Sequence, residues 1–101
     1  MQLEQLILEI KAQPKLFIRF HAGWCGVCKL LAPTIERYKE DERFEAITFI
    51  DIDVEESMDV KKAFKINDLP YFAGFQNGGL VREFATSKKS DVEGLLVDIA
   101  Q

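Results

Sequence analysis

The segment Phe20-His-Ala-Gly-Trp-Cys-Gly-Val-Cys-Lys29 decides the fold of this chain. It joins an apolar run of strand type at 15–22 to a helical pattern at 26–41. Cys25 therefore lies where a strand ends and a helix begins, and the unpaired N–H groups and dipole of such a helix end favour an anion. This environment lowers the pKa of a thiol, and the thiolate is the reactive form. Because Cys28 follows one turn later, the pair predicts dithiol–disulfide exchange, with Cys25 attacking a disulfide and Cys28 resolving the mixed disulfide.

The rest of the chain alternates helices and strands in the order α-β-α-β-α-β-β-α. Apolar residues fall on both faces of the strand at 15–22, which predicts a central strand. Helices between strands predict parallel crossovers, and Asn77-Gly78-Gly79 predicts a closing antiparallel hairpin. Ser57 and Ser90 are predicted N-caps of the third and fourth helices. We therefore expect one α/β domain over residues 1–101, with a mixed four-stranded sheet and helices on both faces.

The composition excludes several classes of protein. The chain has 101 residues, of which 48% are hydrophobic and 30% charged, and a net charge of -4. An acidic chain argues against a nucleic-acid or anionic-membrane partner. No apolar run reaches the roughly 18 residues of a membrane helix, and the N-terminus has no signal-peptide pattern. Because the signal-peptide pattern is missing, we predict a cytoplasmic protein. In such a reducing compartment, two cysteines three positions apart indicate chemistry and not a structural disulfide.

The cysteine pair and the acidic run after the second strand allow interpretations other than redox chemistry. Zinc needs about four ligands, and the chain offers only Cys25, Cys28 and His21 as cysteine or histidine ligands, so no metal site is predicted within one chain. A metal or cluster shared across a dimer is an alternative that the sequence leaves open. The acidic residues at 51–56 are interpreted as a solvated strand end, because their pattern fits no calcium loop. The remaining alternative is a redox-inactive adaptor in which the cysteines are incidental.

From Pro14 onward the chain resembles the thioredoxin family. The resemblance is carried by FHAGWCGVCKLLAP at 20–33, the D-I-D run at 51–53, the Leu69-Pro70 step and the NGG turn. It implies the thioredoxin fold, without the family's N-terminal strand because this sequence starts at the first helix. It also implies a redox-active disulfide with no other cofactor, protein disulfide substrates, and an upstream reductase or dithiol donor. A monomer serving electron transport and cell redox homeostasis is the corresponding expectation.

The resemblance also assigns roles to residues around the cysteine pair. Trp24, Gly26, Val27, Leu69 and Pro70 match positions that contact the substrate, and Pro70 matches the family's cis-proline. Where the family commonly has proline, this chain has Val27, so the reduction potential cannot be inherited.

The largest departure is at Arg19, where the family has a buried aspartate that assists proton transfer at the resolving cysteine. The family's lysine on the next strand corresponds to Asp51, so acid and base are exchanged. Burial of an unpaired arginine is unfavourable, and we therefore expect an Arg19–Asp51 pair. Asp51 is the predicted proton acceptor for Cys28, through water. His21 and Tyr71 also depart from the family; the former is expected to pack or to assist proton transfer, and the latter to alter the substrate groove.

Overall fold

The computed structural model describes residues 1–101 as four helices and four strands in the predicted order. Helices α1, α2, α3 and α4 span Leu3–Ala12, Gly26–Lys39, Met58–Ala63 and Lys89–Ala100. Strands β1, β2, β3 and β4 span Lys15–His21, Thr48–Asp53, Tyr71–Gln76 and Gly79–Ala85. A short 3-10 helix at Glu42–Phe44 follows α2. None of the helices has both the length and the apolar character that a membrane crossing requires.

The strands form one mixed sheet in the order β2-β1-β3-β4. Strand β2 is parallel to β1, whereas β3 is antiparallel to β1 and β4 is antiparallel to β3. The predicted four-stranded mixed sheet is confirmed. The expectation of a parallel crossover between every pair of helix-linked strands is wrong for β2 and β3.

Helix α3 is too short to span the length of β2 by itself. Six residues of α-helix rise about 9 Å, whereas the six residues of β2 extend about 20 Å. The helix alone does not return the chain to the start of β2, and the segment at 64–70 leads it elsewhere. Instead, β3 starts at the sheet end where β1 finishes, with Tyr71 opposite Phe20. The segment before β3 therefore lies at the same end of the sheet as Cys25, which follows β1.

Two apolar cores cover the two faces of the sheet, as the pattern of β1 predicts. One lies under α1 and α3 and includes Leu6, Leu16, Ile18, Phe20 and Val60. The other lies under α2 and α4 and includes Phe17, Leu31, Ile35, Phe72 and Leu96. Alternate residues of β1 enter opposite cores, so Arg19 and His21 share the face of Phe17, beneath α2.

Gly74 of β3 allows α4 to lie close to the sheet. A Cβ built on Gly74 would lie 2.5 Å from Cδ1 of Ile99 and 2.8 Å from Cδ1 of Leu95. Real Cβ atoms essentially never approach this closely. The absence of a side chain at this position is therefore part of how α4 packs.

The predicted hairpin turn is confirmed, whereas the predicted helix caps are confirmed only in part. Asn77 and Gly78 have φ of 51° and 84° and form the predicted two-residue hairpin turn. The N-cap of α4 is Lys88 and not Ser90, because the hydroxyl of Thr86 accepts the Lys88 N–H at 3.1 Å and starts the helix earlier. Ser57 does occupy the N-cap position of α3, but its hydroxyl makes no capping hydrogen bond. That oxygen instead accepts from the N-terminal ammonium at 3.2 Å.

Candidate active site

Cys25 and Cys28 form a disulfide at the start of α2, with their Cα atoms 5.3 Å apart. Cys25 is the N-cap residue, in extended backbone conformation, and Cys28 lies in the first turn. The backbone N–H of Cys28 donates to Cys25 Sγ at 3.2 Å. Only 5% of Cys25 and 3% of Cys28 is exposed. The predicted position of the pair, at a junction between strand and helix, is confirmed.

The electrostatics of this helix start favour a thiolate on Cys25. Its sulfur takes the place of the capping oxygen that a serine or aspartate supplies at other helices. Helix α2 is 14 residues long and has no acidic residue in its first turn, so its positive end is not neutralised. When the disulfide is reduced, these features favour the anionic form of a thiol at this position.

Apolar side chains are exposed around the disulfide. Trp24 is 69% exposed, and its indole N–H donates to Glu55 in the loop after β2. Val27 is 38% exposed and Leu30 is 79% exposed, one helical turn apart on α2. Leu30 was missed in the sequence, where its i+3 spacing from Val27 on the outer face of α2 was the available signal.

The segment before β3 has the predicted backbone. The Leu69–Pro70 peptide bond is cis. Pro70 is buried and Leu69 is half-buried against the core under α1 and α3. Gly26 is exposed, and a Cβ built on it would meet no atom within 4 Å, so space alone does not require glycine there. The substrate-binding role of these residues stays a prediction.

The predicted ion pair beneath α2 is present. Arg19 Nε donates to Asp51 Oδ1 at 3.0 Å, and these two residues are partners in the parallel register of β1 and β2. Lys39, at the end of α2, donates to Asp51 Oδ2 at 3.2 Å and to Glu36 at 3.1 Å. Burial acts to lower the pKa of Lys39, but these carboxylates outweigh it and raise that pKa. Sequence reasoning missed Lys39, because helical spacing alone does not show which strand residue its end reaches.

A small cavity of about 170 Å³ lies beside Cys28. It is lined by Arg19, His21, Ala22, Gly23, Cys28, Lys29 and Ala32. Arg19 and His21 are thus brought together with Cys28, whereas Asp51 is not among the lining residues. The proton-acceptor role of Asp51 stays a prediction, as does any role of His21.

Tyr71 lies on the face of α1 and α3. Its ring packs against Phe20 with a centroid distance of 5.9 Å, and its hydroxyl donates to Glu83 of β4. Burial and, second, the hydrogen bond to Glu83 raise the pKa of Tyr71 to about 12. The side chain therefore contributes to the packing between β1 and β3, a role that the expectation of an altered groove did not include.

Comparison with known proteins gives one consistent result. The thioredoxin family model matches residues 2–98. Chicken (Gallus gallus) thioredoxin is 32% identical over 87 residues, which cover 84% of this chain and 81% of the relative. The oxidised form of mitochondrial thioredoxin 3 from Saccharomyces cerevisiae superposes with a TM-score of 0.86 at 28% identity, covering 93% of this chain and 88% of that chain. Thioredoxin from Malassezia sympodialis has a TM-score of 0.90 over 99% of this chain and 89% of that chain, and at 22% identity it supports the fold alone.

Proposed function

This chain belongs to the thioredoxin family and is a thiol–disulfide oxidoreductase, and we propose that it reduces disulfides of protein substrates with Cys25 as the nucleophile and Cys28 as the resolving thiol. The observation that carries the assignment of roles is the position of Cys25 as the N-cap of α2. Its sulfur accepts the Cys28 N–H, whereas Cys28 lies inside the first turn. A thiolate is therefore better stabilised on Cys25.

The reaction takes two exchange steps. The Cys25 thiolate attacks a substrate disulfide, forming a Cys25–substrate disulfide and releasing the first substrate sulfur as a thiolate. Cys28 loses its proton, attacks Cys25 Sγ and displaces the second substrate sulfur. The substrate gains two electrons, and the chain is left with the Cys25–Cys28 disulfide. The cycle needs no resident cofactor or metal, because the two sulfurs carry the electrons.

The surroundings of the disulfide suit an extended peptide of the substrate. Trp24, Val27 and Leu30 offer apolar contact area. We assign Leu69 and Pro70 to the backbone of the substrate, and Gly26 to close approach at the start of α2. A redox-inactive adaptor is not favoured, because both cysteines that the reaction needs are present and joined.

Reduction of the resulting disulfide completes the cycle. We assign this step to an upstream reductase or dithiol protein, and we place the chain in the cytoplasm as a monomer that serves electron transport and redox homeostasis. The pair of cysteines at a reactive helix start, in a chain with no further cysteine for a structural disulfide, supports this placement.

Reduction of insulin by dithiothreitol tests the proposal. The wild-type chain is expected to accelerate it, and Cys25→Ser to abolish the acceleration. Cys28→Ser is the matched variant: it should still attack insulin but accumulate a Cys25–insulin disulfide visible by mass spectrometry. An adduct on Cys28 in the Cys25→Ser chain, with none in Cys28→Ser, would reverse the two roles.

The direction of the reaction is tested by the reduction potential of the pair in glutathione or dithiothreitol buffers. A potential near about -270 mV supports a cytoplasmic reductant. A potential of about -120 to -180 mV instead indicates an oxidant or isomerase, contradicting the cytoplasmic assignment.

A further inference from the structure

The cavity beside Cys28 is lined by cations and by no carboxylate. Arg19 contributes a guanidinium whose side chain is only 13% exposed, and Lys29 adds an exposed ammonium. His21 is half-buried in the same wall. Within the chain, only Nε of Arg19 makes a hydrogen bond, to Asp51. The two terminal nitrogens of Arg19 make no hydrogen bond within the chain, and Arg19 is one of the residues that line the cavity.

The acidic groups nearest to this cavity are already engaged. Asp51 accepts from Arg19 through Oδ1 and from Lys39 through Oδ2. Asp53, the register partner of His21, accepts the backbone N–H of Glu55 at 2.8 Å. The charged or polar side chains that line the cavity together with Cys28 are therefore those of Arg19, His21 and Lys29, and no carboxylate of β1, β2 or α2 is among them.

Given the proposed exchange reaction, on which this inference rests, we propose that Arg19 activates the resolving cysteine by stabilising the Cys28 thiolate across the cavity. Arg19 thus puts a fixed positive charge at the position where the resemblance to the family implies an aspartate that assists proton transfer. Arg19 is a positioning residue, because it does not touch the substrate. An opposite charge within a few ångströms favours the ionised form of a thiol, and a guanidinium keeps its charge at every relevant pH.

The resolving step balances without a protein base. The Cys28 thiol loses its proton to water, and the charge of Arg19 stabilises the resulting anion across the cavity. The anion attacks Cys25 Sγ, the Cys25–Cys28 bond forms, and the Cys25–substrate bond breaks. The substrate sulfur leaves with the electron pair and takes a proton from solvent.

Stopped-flow reaction of the reduced chain with 5,5′-dithiobis(2-nitrobenzoate) separates the two steps. Attack by Cys25 releases the first nitrothiobenzoate in a phase that depends on reagent concentration. Attack by Cys28 on the Cys25 adduct releases the second in a phase that does not. A missing first phase in wild type contradicts the proposed function, whereas only the second phase bears on Arg19.

Four variants are compared over pH 5 to 9. Arg19→Met is expected to slow the second phase about tenfold at neutral pH and to move its pH midpoint up by about one unit, which corresponds to a tenfold change in thiolate fraction. Arg19→Lys keeps the charge and should restore most of the rate. Asp51→Asn should accelerate the second phase at low pH, because the charge of Arg19 is then less compensated. Arg82→Met, which removes a cation of β4 bonded to Asp98, is the matched control and should change neither phase.

The variants of Asp51 and Arg19 decide between the two forms of activation. An unchanged second phase in Arg19→Met overturns the proposal. A second phase slowed by Asp51→Asn also overturns it, and assigns the proton to the carboxylate. If Arg19→Met does not fold, Asp51→Asn decides alone: a faster second phase supports the proposal, and an unchanged or slower one overturns it.

Discussion

Replacing Gly74 by alanine places a methyl group where α4 packs on β3. The new Cβ would lie 2.5 Å and 2.9 Å from Cδ1 and Cγ1 of Ile99, and 2.8 Å from Cδ1 of Leu95. The first distance is almost 1 Å inside the 3.4 Å at which ordinary van der Waals contact begins. Both neighbours are fully buried in the core under α2 and α4, so neither can swing into solvent.

Overpacking of this kind costs about 1–3 kcal/mol, and the loss of chain freedom in the unfolded state returns about 0.4–1 kcal/mol. We therefore expect Gly74→Ala to lower the free energy of unfolding by about 1–2 kcal/mol, and Tm by about 4–16 °C. Gly94→Ala is the matched control. Gly94 lies inside α4, and its nearest neighbour would be 3.7 Å from a new Cβ. Alanine should stabilise that helix by roughly 0.5–1 kcal/mol.

Guanidinium chloride titrations of the oxidised chain, followed by circular dichroism, measure both changes. The slope of the transition should stay the same while its midpoint moves down for Gly74→Ala and up for Gly94→Ala. A Gly74→Ala chain as stable as wild type would show that α4 moves outward without cost. The close approach of α4 to β3 would then be irrelevant to stability.

Three further predictions concern single contacts. The pKa of Tyr71 in the folded chain is raised to about 12, so the hydroxyl contributes fully to the free energy of unfolding below about pH 10 and loses that contribution as pH rises to about 12. Tyr71→Phe should therefore flatten the fall of the free energy of unfolding over that range. An unchanged slope would contradict this prediction. The hydrogen bond from the Leu3 N–H lowers the pKa of Asp59 in the folded chain. The carboxylate therefore stabilises the fold above the ordinary carboxyl pKa, and this stabilisation is lost as pH falls through the lower pKa of the folded chain. Asp59→Asn should reduce the free energy of unfolding at pH 6 but little at pH 2, and equal losses at both pH values would refute this. Glu55→Ala frees the indole of Trp24, the only tryptophan; its fluorescence anisotropy should fall, and an unchanged anisotropy would mean that Glu55 does not hold the ring.

Local patterns in the sequence predicted most of the elements that carry the site. The two-faced apolar run of β1 and the Asn77-Gly78 turn depend on neighbours in sequence, and both are as expected. The strand–helix junction placed Cys25 for the same reason. The direction of β3 depends on where α3 and the segment at 64–70 lead the chain, which apolar periodicity does not encode.

The surroundings of Cys28 were predictable only in part. The exchange of acid and base at Arg19 and Asp51 could be inferred from a family match, and the contact is present. The cavity beside Cys28 could not be inferred from the sequence, because it depends on which side chains of β1 and α2 face one another across a gap. The contact between Lys39 and Asp51 was unpredictable for the same reason, since Lys39 lies eleven residues beyond Cys28 on α2 and reaches a different strand.

The charges along β2 also bear on how the protein behaves at high concentration. Strands β2 and β4 are the two edges of the sheet, and an unpaired edge invites a strand from another molecule. Asp51 and Asp53 lie on β2, and Arg82 and Glu83 on β4, so extension of the sheet would remove charged groups from water. The charge of Asp51 therefore also disfavours aggregation through the edge of β2. An Asp51→Asn chain should be assayed at low protein concentration, including in measurements of its redox chemistry.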